Sequence, residues 1–319
     1  MDELQFQELL RQKTEAVEMI IKRYLPEETG YQKTVLEAMN YSFLAGGKRL
    51  RPLLMQETYR MFGGQDRVIE PFMAAMEMIH TYSLVHDDLP AMDNDEYRRG
   101  RETTWKVYGE GMGILAGDAL LNFAFETMIN ELVQVQAGLS PRSSGSAEDI
   151  KVAFEQARAV ARAISVMAGK AGIYGMIGGQ TADVEAEGQK KDLTMEQLLF
   201  IHEHKTAALI QAAMMVGAIL AGADVEEIEN IEKCAYNIGI AFQIQDDILD
   251  VVGDSKELGK TVGSDEQNHK QTYVTIKGVE QSVGDVESLS KEAVEILRGI
   301  SGDHTFLEQL ILMLIHRRK

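Results

Sequence analysis

The chain has 319 residues and 45% of them are apolar, enough to bury one large core or two smaller ones. Lysine and arginine number 32 against 50 aspartates and glutamates, and the net charge of −18 disfavours nucleic acids and anionic membranes as partners. The single cysteine, Cys234, rules out an intrachain disulfide and fits a reducing cytoplasm, the expected location. We also expect no signal peptide, no run apolar enough to span a bilayer, and no stable membrane anchor.

Helical periodicity dominates the chain, and prolines and glycines mark where the predicted helices stop. The first four helices end at Pro26, Gly46-Gly47, Gly63-Gly64 and Pro90; later ones cover 113–130, 147–167 (with a break at Gly169), 286–298 and 306–315, and another follows a capping box at Thr194. Two polar, glycine-punctuated stretches, 136–146 and 253–271, are predicted loops. With no useful strand pattern, we predict an all-α fold, a single-domain helical bundle around a central cavity, over residues 1–319.

An acidic motif occupies residues 86–95, with the sequence HDDLPAMDND. His80 and Asp87 lie on one side of the helix that leads into it, and Pro90 breaks that helix, so the following turn could return Asp93 toward Asp87. Carboxylates this close repel unless a cation holds them, and Mg²⁺ prefers oxygen ligands. The motif predicts a metal site, although a solvated acidic surface or a plain helix stop would also explain it.

A second acidic motif, DDILD at 246–250, ends a long helical pattern. Gln243, Asp246 and Asp250 are spaced i, i+3, i+7 and therefore project from one side, whereas Asp247 lies about 100° away around the helix. Two such motifs suggest a cavity where metal ions join the protein to a bound diphosphate, which would complete the metal shell. Solvated acidic faces are the alternative.

Two basic runs accompany the acidic motifs. The first, GGKRLRP at 46–52, joins a helix end to a helix start, and Lys48 and Arg51 beside free helix amides would form an anion site. Arg98 and Arg99 follow the first acidic motif, and arginine forks suit phosphate oxygens. As alternatives, these arginines pair with nearby carboxylates on the surface, and His80 is an ordinary helix histidine.

In this order, these motifs resemble the trans-isoprenyl diphosphate synthase family, and within it the short-chain bacterial farnesyl diphosphate synthases. The matching segments are 46–52, 80–88, 98–100, 115–118, 178–180, 204–206, 242–247 and 259–261. The resemblance implies the isoprenoid synthase fold, a homodimer, small-molecule diphosphate substrates and about three Mg²⁺ ions when substrate is bound. It implies that an allylic diphosphate, dimethylallyl or geranyl, ionises and is attacked by isopentenyl diphosphate, giving farnesyl diphosphate.

The resemblance also implies residue roles. Asp87, Asp93 and Asp246 are implied as direct metal ligands. Asp88, Asp247 and Asp250 would bind the metal through water or orient the direct ligands. The residues that would hold the allylic diphosphate are Arg98, Lys205 and Lys260. Those that would hold isopentenyl diphosphate are Gly47, Lys48, Arg51, His80 and Arg99, with Lys270 as a further phosphate contact. Thr206 and Gln243 would lie near the allylic cation. The departing diphosphate serves as the base. Tyr82, five residues before the first aspartate, resembles the bulky floor of the farnesyl enzymes.

The sequence departs from the family pattern after Arg98-Arg99-Gly100, where Glu102 and Trp105 stand in place of the usual proline and histidine. Four other readings remain. A geranyl or geranylgeranyl diphosphate synthase differs only in product length. A terpene cyclase would usually lack the Lys48, Arg51 and His80 site, and a non-catalytic synthase partner would have lost one acidic motif. A di-iron bundle would need Glu-x-x-His pairs, which the sequence does not show.

Overall fold

The computed structural model describes residues 2–137, 146–189, 193–252 and 271–315. The chain divides into two compact units, the first formed by Met1–Gln56 and Gln65–Ile164 and the second by Glu57–Gly64 and Ser165–Lys319. The expectation of one domain over residues 1–319 stays a prediction. The predicted loops 136–146 and 253–271 lie almost entirely outside the described residues.

The all-α prediction is confirmed. The first unit contains α1 (Glu3–Lys22), α2 (Lys33–Phe43), the start of α3 (Leu50–Met61), α4 (Glu70–Asp87), the hairpin β1 (Tyr97–Arg98) and β2 (Arg101–Glu102), α5 (Thr104–Tyr108), α6 (Glu110–Ala137) and most of α7 (Ala147–Ala171). The second continues from α7 with α8 (Met176–Gln189), α9 (Met195–Ile201), a π-turn (His202–Ala207), α10 (Ala208–Leu220), α11 (Val225–Val252), α12 (Tyr273–Lys277), α13 (Val279–Arg298) and α14 (Thr305–Ile315). The two-residue hairpin strands are the only strands in the described part of the chain.

Helix α4 forms the core of the first unit. Every residue from Pro71 to Ile79 is buried, so this segment is enclosed on all sides rather than amphipathic. It packs against α6, α1 and α2. Because α4 ends at Asp87, this rigid helix delivers the first acidic motif to one end of the unit.

Helix α6 packs one face on α4 and exposes apolar side chains on another, including Leu115, Ile129 and Val133. Because both faces are apolar, one 18-residue window of α6 meets the length and composition of a membrane span, although 39% of that window is buried against the protein. The expectation that no run would be apolar enough is therefore wrong for α6. A core helix of a folded protein passes the same test.

The second unit is built on α10, whose residues from Ala208 to Ile219 are all buried, and on α11, which packs against both α10 and α13. The predicted capping box is confirmed: the Thr194 side chain accepts from the Gln197 amide and the Gln197 side chain accepts from the Thr194 amide. The predicted break at Gly169 is wrong, since α7 continues to Ala171. A helix tolerates glycine when neighbouring positions pack well.

Candidate active site

The first acidic motif forms a tight turn after α4. The Asp93 amide donates a hydrogen bond of 2.8 Å to the Asp87 carbonyl, and the Asn94 amide donates one of 3.1 Å to the Leu89 carbonyl. Asn94 has a φ of +55°, a conformation that asparagine tolerates better than most residues. The turn therefore returns Asp93 to the end of the helix that carries Asp87, as the position of Pro90 predicted.

Asp88 is directed toward a basic residue. It is 4% exposed, and its Oδ1 accepts a hydrogen bond of 2.6 Å from the Arg98 Nε. Burial raises the pKa of Asp88 to about 6, although Arg98 opposes the shift. Arg98 also lies 3.6 Å from the exposed Asp95 carboxylate, so its main partner is the buried aspartate and the surface pairing is secondary.

The hairpin positions the two arginines. In the antiparallel hairpin, Arg98 lies opposite Arg101. The two residues of the turn between them, Arg99 and Gly100, have φ values of +53° and +74°. Positive φ at both positions defines a type I′ turn, which suits a two-residue hairpin. The turn directs the Arg99 guanidinium to the Gly46 carbonyl, to which it donates a hydrogen bond.

Gly47 leaves room for this contact. A Cβ atom at this position would lie 2.6 Å from Nη1 of Arg99, and the φ of +130° is itself unfavourable for other residues. Any side chain here would displace Arg99. The contact of Gly47 with isopentenyl diphosphate stays a prediction. The basic run at 46–52 and Arg99, far apart in sequence, meet at this glycine.

Arg51 and His80 form the centre of the basic group. The Arg51 Nη1 lies 3.4 Å from the His80 Nε2, and the buried Arg51 Nε has no hydrogen-bond partner among the residues that the structure describes. Burial lowers the pKa of Arg51 to about 10, while burial and the neighbouring arginines lower the pKa of His80 well below its usual value. A neutral histidine beside a guanidinium with an unused donor suits an incoming anion. Lys48 is exposed on the same loop.

In the second unit, the π-turn carries Lys205 and Thr206. Such wide turns are frequent at functional sites because they reorient side chains within a helix. The Lys205 Nζ donates a hydrogen bond of 2.5 Å to the buried Asp183, and the Thr206 Oγ1 donates one of 2.9 Å to the Gln243 Oε1. The structure therefore brings together three predicted site residues. A Cβ on Gly179 would lie 2.2 Å from the Lys205 amide, which explains a glycine at that position of α8.

The second acidic motif is divided between two environments. Asp246 is half-buried, whereas Asp247 and Asp250 are buried. Asp247 accepts a hydrogen bond of 3.3 Å from the Gln243 Nε2 and one of 2.8 Å from the Tyr273 amide. It thereby links the Thr206–Gln243 pair to the start of α12.

Sequence reasoning assigned no role to three residues that touch this site. Asp183 pairs with Lys205, Tyr273 donates to Asp247, and the buried His202 lies 3.8 Å from Asp247. Asp183 had a signal in its position one turn from Gln180 on α8, and Tyr273 had one in the partial resemblance of residues 269–273 to a family motif. Lys260 and Lys270, predicted diphosphate contacts, lie outside the described residues.

The predicted metal ligands suit Mg²⁺ in chemistry. Hard cations take oxygen ligands and keep open positions for phosphate, and the Asp87–Asp93 turn presents two carboxylates at one helix end. In the ranges 2–137, 146–189, 193–252 and 271–315, no group of three or more His, Cys, Asp or Glu side chains is close enough to hold a metal alone. A complete shell therefore needs oxygens from elsewhere, such as those of a diphosphate. The four metal-ligand assignments, Asp87, Asp93, Asp246 and Asp250, stay predictions.

Comparison with known proteins agrees with the fold and the motifs. The profile of the family described as polyprenyl synthetase matches residues 32–298. The chain is 44% identical to a farnesyl diphosphate synthase of Geobacillus stearothermophilus over 86% of this chain and 84% of that protein. It is 42% identical to a geranylgeranyl diphosphate synthase of Cyanophora paradoxa over 90% and 88% of the two chains.

Solved structures agree as well. A geranyltransferase from Helicobacter pylori, complexed with magnesium and isoprenyl diphosphate, superposes with a TM-score of 0.76 at 29% identity. The match covers 97% of this chain and 95% of that one. These matches confirm the resemblance that the motifs indicated, and the chain belongs to the polyprenyl synthetase family, as a prenyl-transferring enzyme with the all-α isoprenoid synthase fold.

Proposed function

We propose that the protein condenses dimethylallyl or geranyl diphosphate with isopentenyl diphosphate to form farnesyl diphosphate. The observation that carries the proposal is the group formed by Arg51, His80 and Arg99. Its cationic side chains are partly buried, and the Arg51 Nε has no partner among the described residues. A diphosphate bound without a metal would need such direct cationic donors.

The reaction breaks one carbon–oxygen bond and forms one carbon–carbon bond. The leaving diphosphate takes the electron pair of the allylic C–O bond, and the double bond of isopentenyl diphosphate then attacks the allylic cation. A proton leaves the new cation to the departing diphosphate, which restores a double bond. Bound Mg²⁺ would supply the charge that offsets the developing negative charge on the leaving group.

Side chains of each unit have matching tasks in this proposal. In the first unit, Asp88 orients Arg98 toward the allylic diphosphate. In the second, Asp183 orients Lys205 for the same kind of contact, and Thr206 with Gln243 presents polar oxygens that favour a nearby cation. The Arg51–His80–Arg99 group argues against a terpene cyclase, which has no second diphosphate to bind.

The assignment of a fifteen-carbon product depends on Tyr82. Its side chain lies in the buried part of α4, is 6% exposed, and makes an edge-to-face contact of 5.8 Å between ring centroids with His86. A ring held this firmly would stop a growing chain, because overpacking a dense apolar site costs about 1–3 kcal/mol. A geranylgeranyl product is the second candidate, favoured by the name of the similar Cyanophora paradoxa enzyme.

A homodimer is also part of the proposal. The exposed apolar residues of α6, Leu115, Ile129 and Val133, are spread along one side of that helix, where a second copy of the chain would cover them. Ile129→Glu should then shift the molar mass in multi-angle light scattering from dimer to monomer. An unchanged mass would contradict the assignment of this face.

Product analysis tests the enzymatic proposal directly. The purified protein, Mg²⁺ and labelled isopentenyl diphosphate are incubated with dimethylallyl, geranyl or farnesyl diphosphate in separate reactions. We expect farnesyl diphosphate from the first two primers and little extension of the third. A main product of twenty carbons would replace the farnesyl assignment with the geranylgeranyl one, and no incorporation would overturn the function.

A further inference from the structure

Arg49 differs from the other basic residues of the loop at 46–52. Lys48 is exposed and Arg51 is half-buried beside His80, but Arg49 is only 2% exposed. Its φ of +47° is uncommon for a residue with a side chain, and such a conformation persists only where surrounding contacts hold it. The side chain of Arg49 therefore serves the protein interior rather than a ligand.

Four hydrogen bonds hold the Arg49 guanidinium. Nε and Nη2 donate to the two carboxylate oxygens of Glu18 on α1, at 2.5 and 3.2 Å. Nη1 donates to Glu77 on α4 at 2.6 Å, and Nη2 also donates to the Phe43 carbonyl at the end of α2 at 2.7 Å. Arg49 thus ties its loop to three helices, and both carboxylates neutralise its charge.

The contact of Arg49 with Glu77 lies next to the contact that Arg51 makes with His80. Glu77 and His80 are three residues apart on α4, so they share a face and lie about 4.5 Å apart along the helix. Arg49 meets the first and Arg51 meets the second. Two contacts on adjacent turns of α4 restrain where the loop lies along the helix axis and how it is oriented about that axis.

We infer that Arg49 is a positioning residue for the second diphosphate: held by Glu18 and Glu77, it sets the loop in the register that aims Arg51 at that diphosphate. The inference rests on the proposed function, because it takes isopentenyl diphosphate as the ligand of Arg51. A buried ion pair alone is weak support, since replacing such a pair with apolar residues often leaves stability unchanged. What distinguishes a positioning role is a selective effect on one substrate.

The test compares two buried glutamates of α4, Glu77 and Glu70. Glu77→Gln weakens the hold on Arg49, whereas Glu70→Gln weakens contacts with Arg23 and Arg67, which lie outside the basic loop. For Glu77→Gln we expect KM for isopentenyl diphosphate to rise about tenfold, with KM for the allylic substrate and kcat within about twofold of wild type. For Glu70→Gln we expect both KM values to stay within about twofold.

Two further variants protect the test against misfolding. Arg49→Met combined with Glu77→Met removes both members of the buried pair, and Glu18, which then loses Arg49, keeps Lys22 at 3.1 Å. The double variant should therefore fold and still show the selective KM increase. Glu18→Gln changes a more exposed member and should give a smaller increase. An unchanged KM for isopentenyl diphosphate in the folded double variant, or equal increases for both substrates, would overturn the inference.

Hydrogen exchange separates this inference from the proposed function. Backbone amides of residues 46–50 should exchange faster in Glu77→Gln than in wild type, and at the wild-type rate in Glu70→Gln. If wild type fails to use isopentenyl diphosphate but the exchange difference is present, the proposed function is wrong and the loop-holding role stands. If exchange and KM are both unchanged in Glu77→Gln, Arg49 does not position the loop.

Discussion

The carboxylate of Asp88 accepts a 2.6 Å hydrogen bond from the Nε of Arg98, ten residues further along the chain. The pair joins the end of α4 to the β1–β2 hairpin. Asp88 is buried, so the contact is shielded from water and holds the arginine in one orientation. The second aspartate of the motif therefore contacts a basic residue, and its predicted part in metal binding stays a prediction.

Asp88→Asn should weaken binding of the allylic diphosphate. The amide can still accept a hydrogen bond, but it lacks the charge that makes the bond with Arg98 short and strong. We expect KM for the allylic substrate to rise about tenfold in steady-state kinetics. Asp95→Asn, whose carboxylate lies 3.6 Å from Arg98 and is exposed, should change it less than twofold. Equal effects of the two variants would show that Asp88 does not orient Arg98.

Asp87→Ala and Asp246→Ala should each abolish most turnover. Each removes a predicted ligand of the metal that stabilises the leaving diphosphate, an interaction typically equivalent to a hundredfold or more in rate. Circular dichroism should show the wild-type helix content, and chelation of Mg²⁺ from the wild type should reduce its activity to a comparable level. Magnesium-dependent activity near the wild-type rate in either variant would exclude that residue as a ligand.

Arg51→Ala should act on one substrate. Its guanidinium has a donor without a partner in the described residues, and removing a direct charge-assisted contact should raise KM for isopentenyl diphosphate roughly tenfold to a hundredfold. KM for the allylic primer should change far less. Arg101→Ala is a control, because Arg101 lies over the Tyr41 ring instead. Equal increases for both substrates after Arg51→Ala would remove the assignment of this site.

His80 should make stability depend on pH. Its pKa is lowered well below 6.5 in the folded protein, because burial and the neighbouring arginines disfavour the charged ring. Below pH 6.5 the unfolded chain therefore binds a proton that the folded chain does not. As the pH is lowered through this range, the free energy of unfolding decreases by up to about 1.4 kcal/mol per pH unit.

His80→Gln removes this proton linkage. Urea unfolding between pH 5 and 7 should show wild type losing more stability toward acid than the variant. Parallel curves for the two proteins would mean that His80 has an ordinary pKa.

Tyr82→Ala should lengthen the product. Removing the buried ring opens space below the end of α4, so chains beyond fifteen carbons should appear when primer and isopentenyl diphosphate are in excess. Tyr82→Phe keeps the ring and should keep the wild-type product. Chromatography of the reaction products makes the comparison, and an unchanged distribution in Tyr82→Ala would show that Tyr82 is not the floor.

Local patterns in the sequence were sufficient for much of the fold and for the placement of the motifs. The spacing of Gln243, Asp246 and Asp250 follows from the helical repeat, and the turn that returns Asp93 toward Asp87 follows from a proline that cannot continue a helix. The Thr194 cap is likewise a short-range contact. These features depend on residues within a few positions of one another, so the sequence alone determined them.

Only the tertiary structure decided which partner each charged side chain has. Arg49 and Arg51 are two residues apart in one basic loop, and nothing local tells them apart. Arg49 is neutralised by Glu18 and Glu77, which lie 31 and 28 residues away, whereas Arg51 keeps a donor unused beside His80. A buried charge is tolerated only where a compensating group arrives from another element, and that arrival depends on how the helices pack.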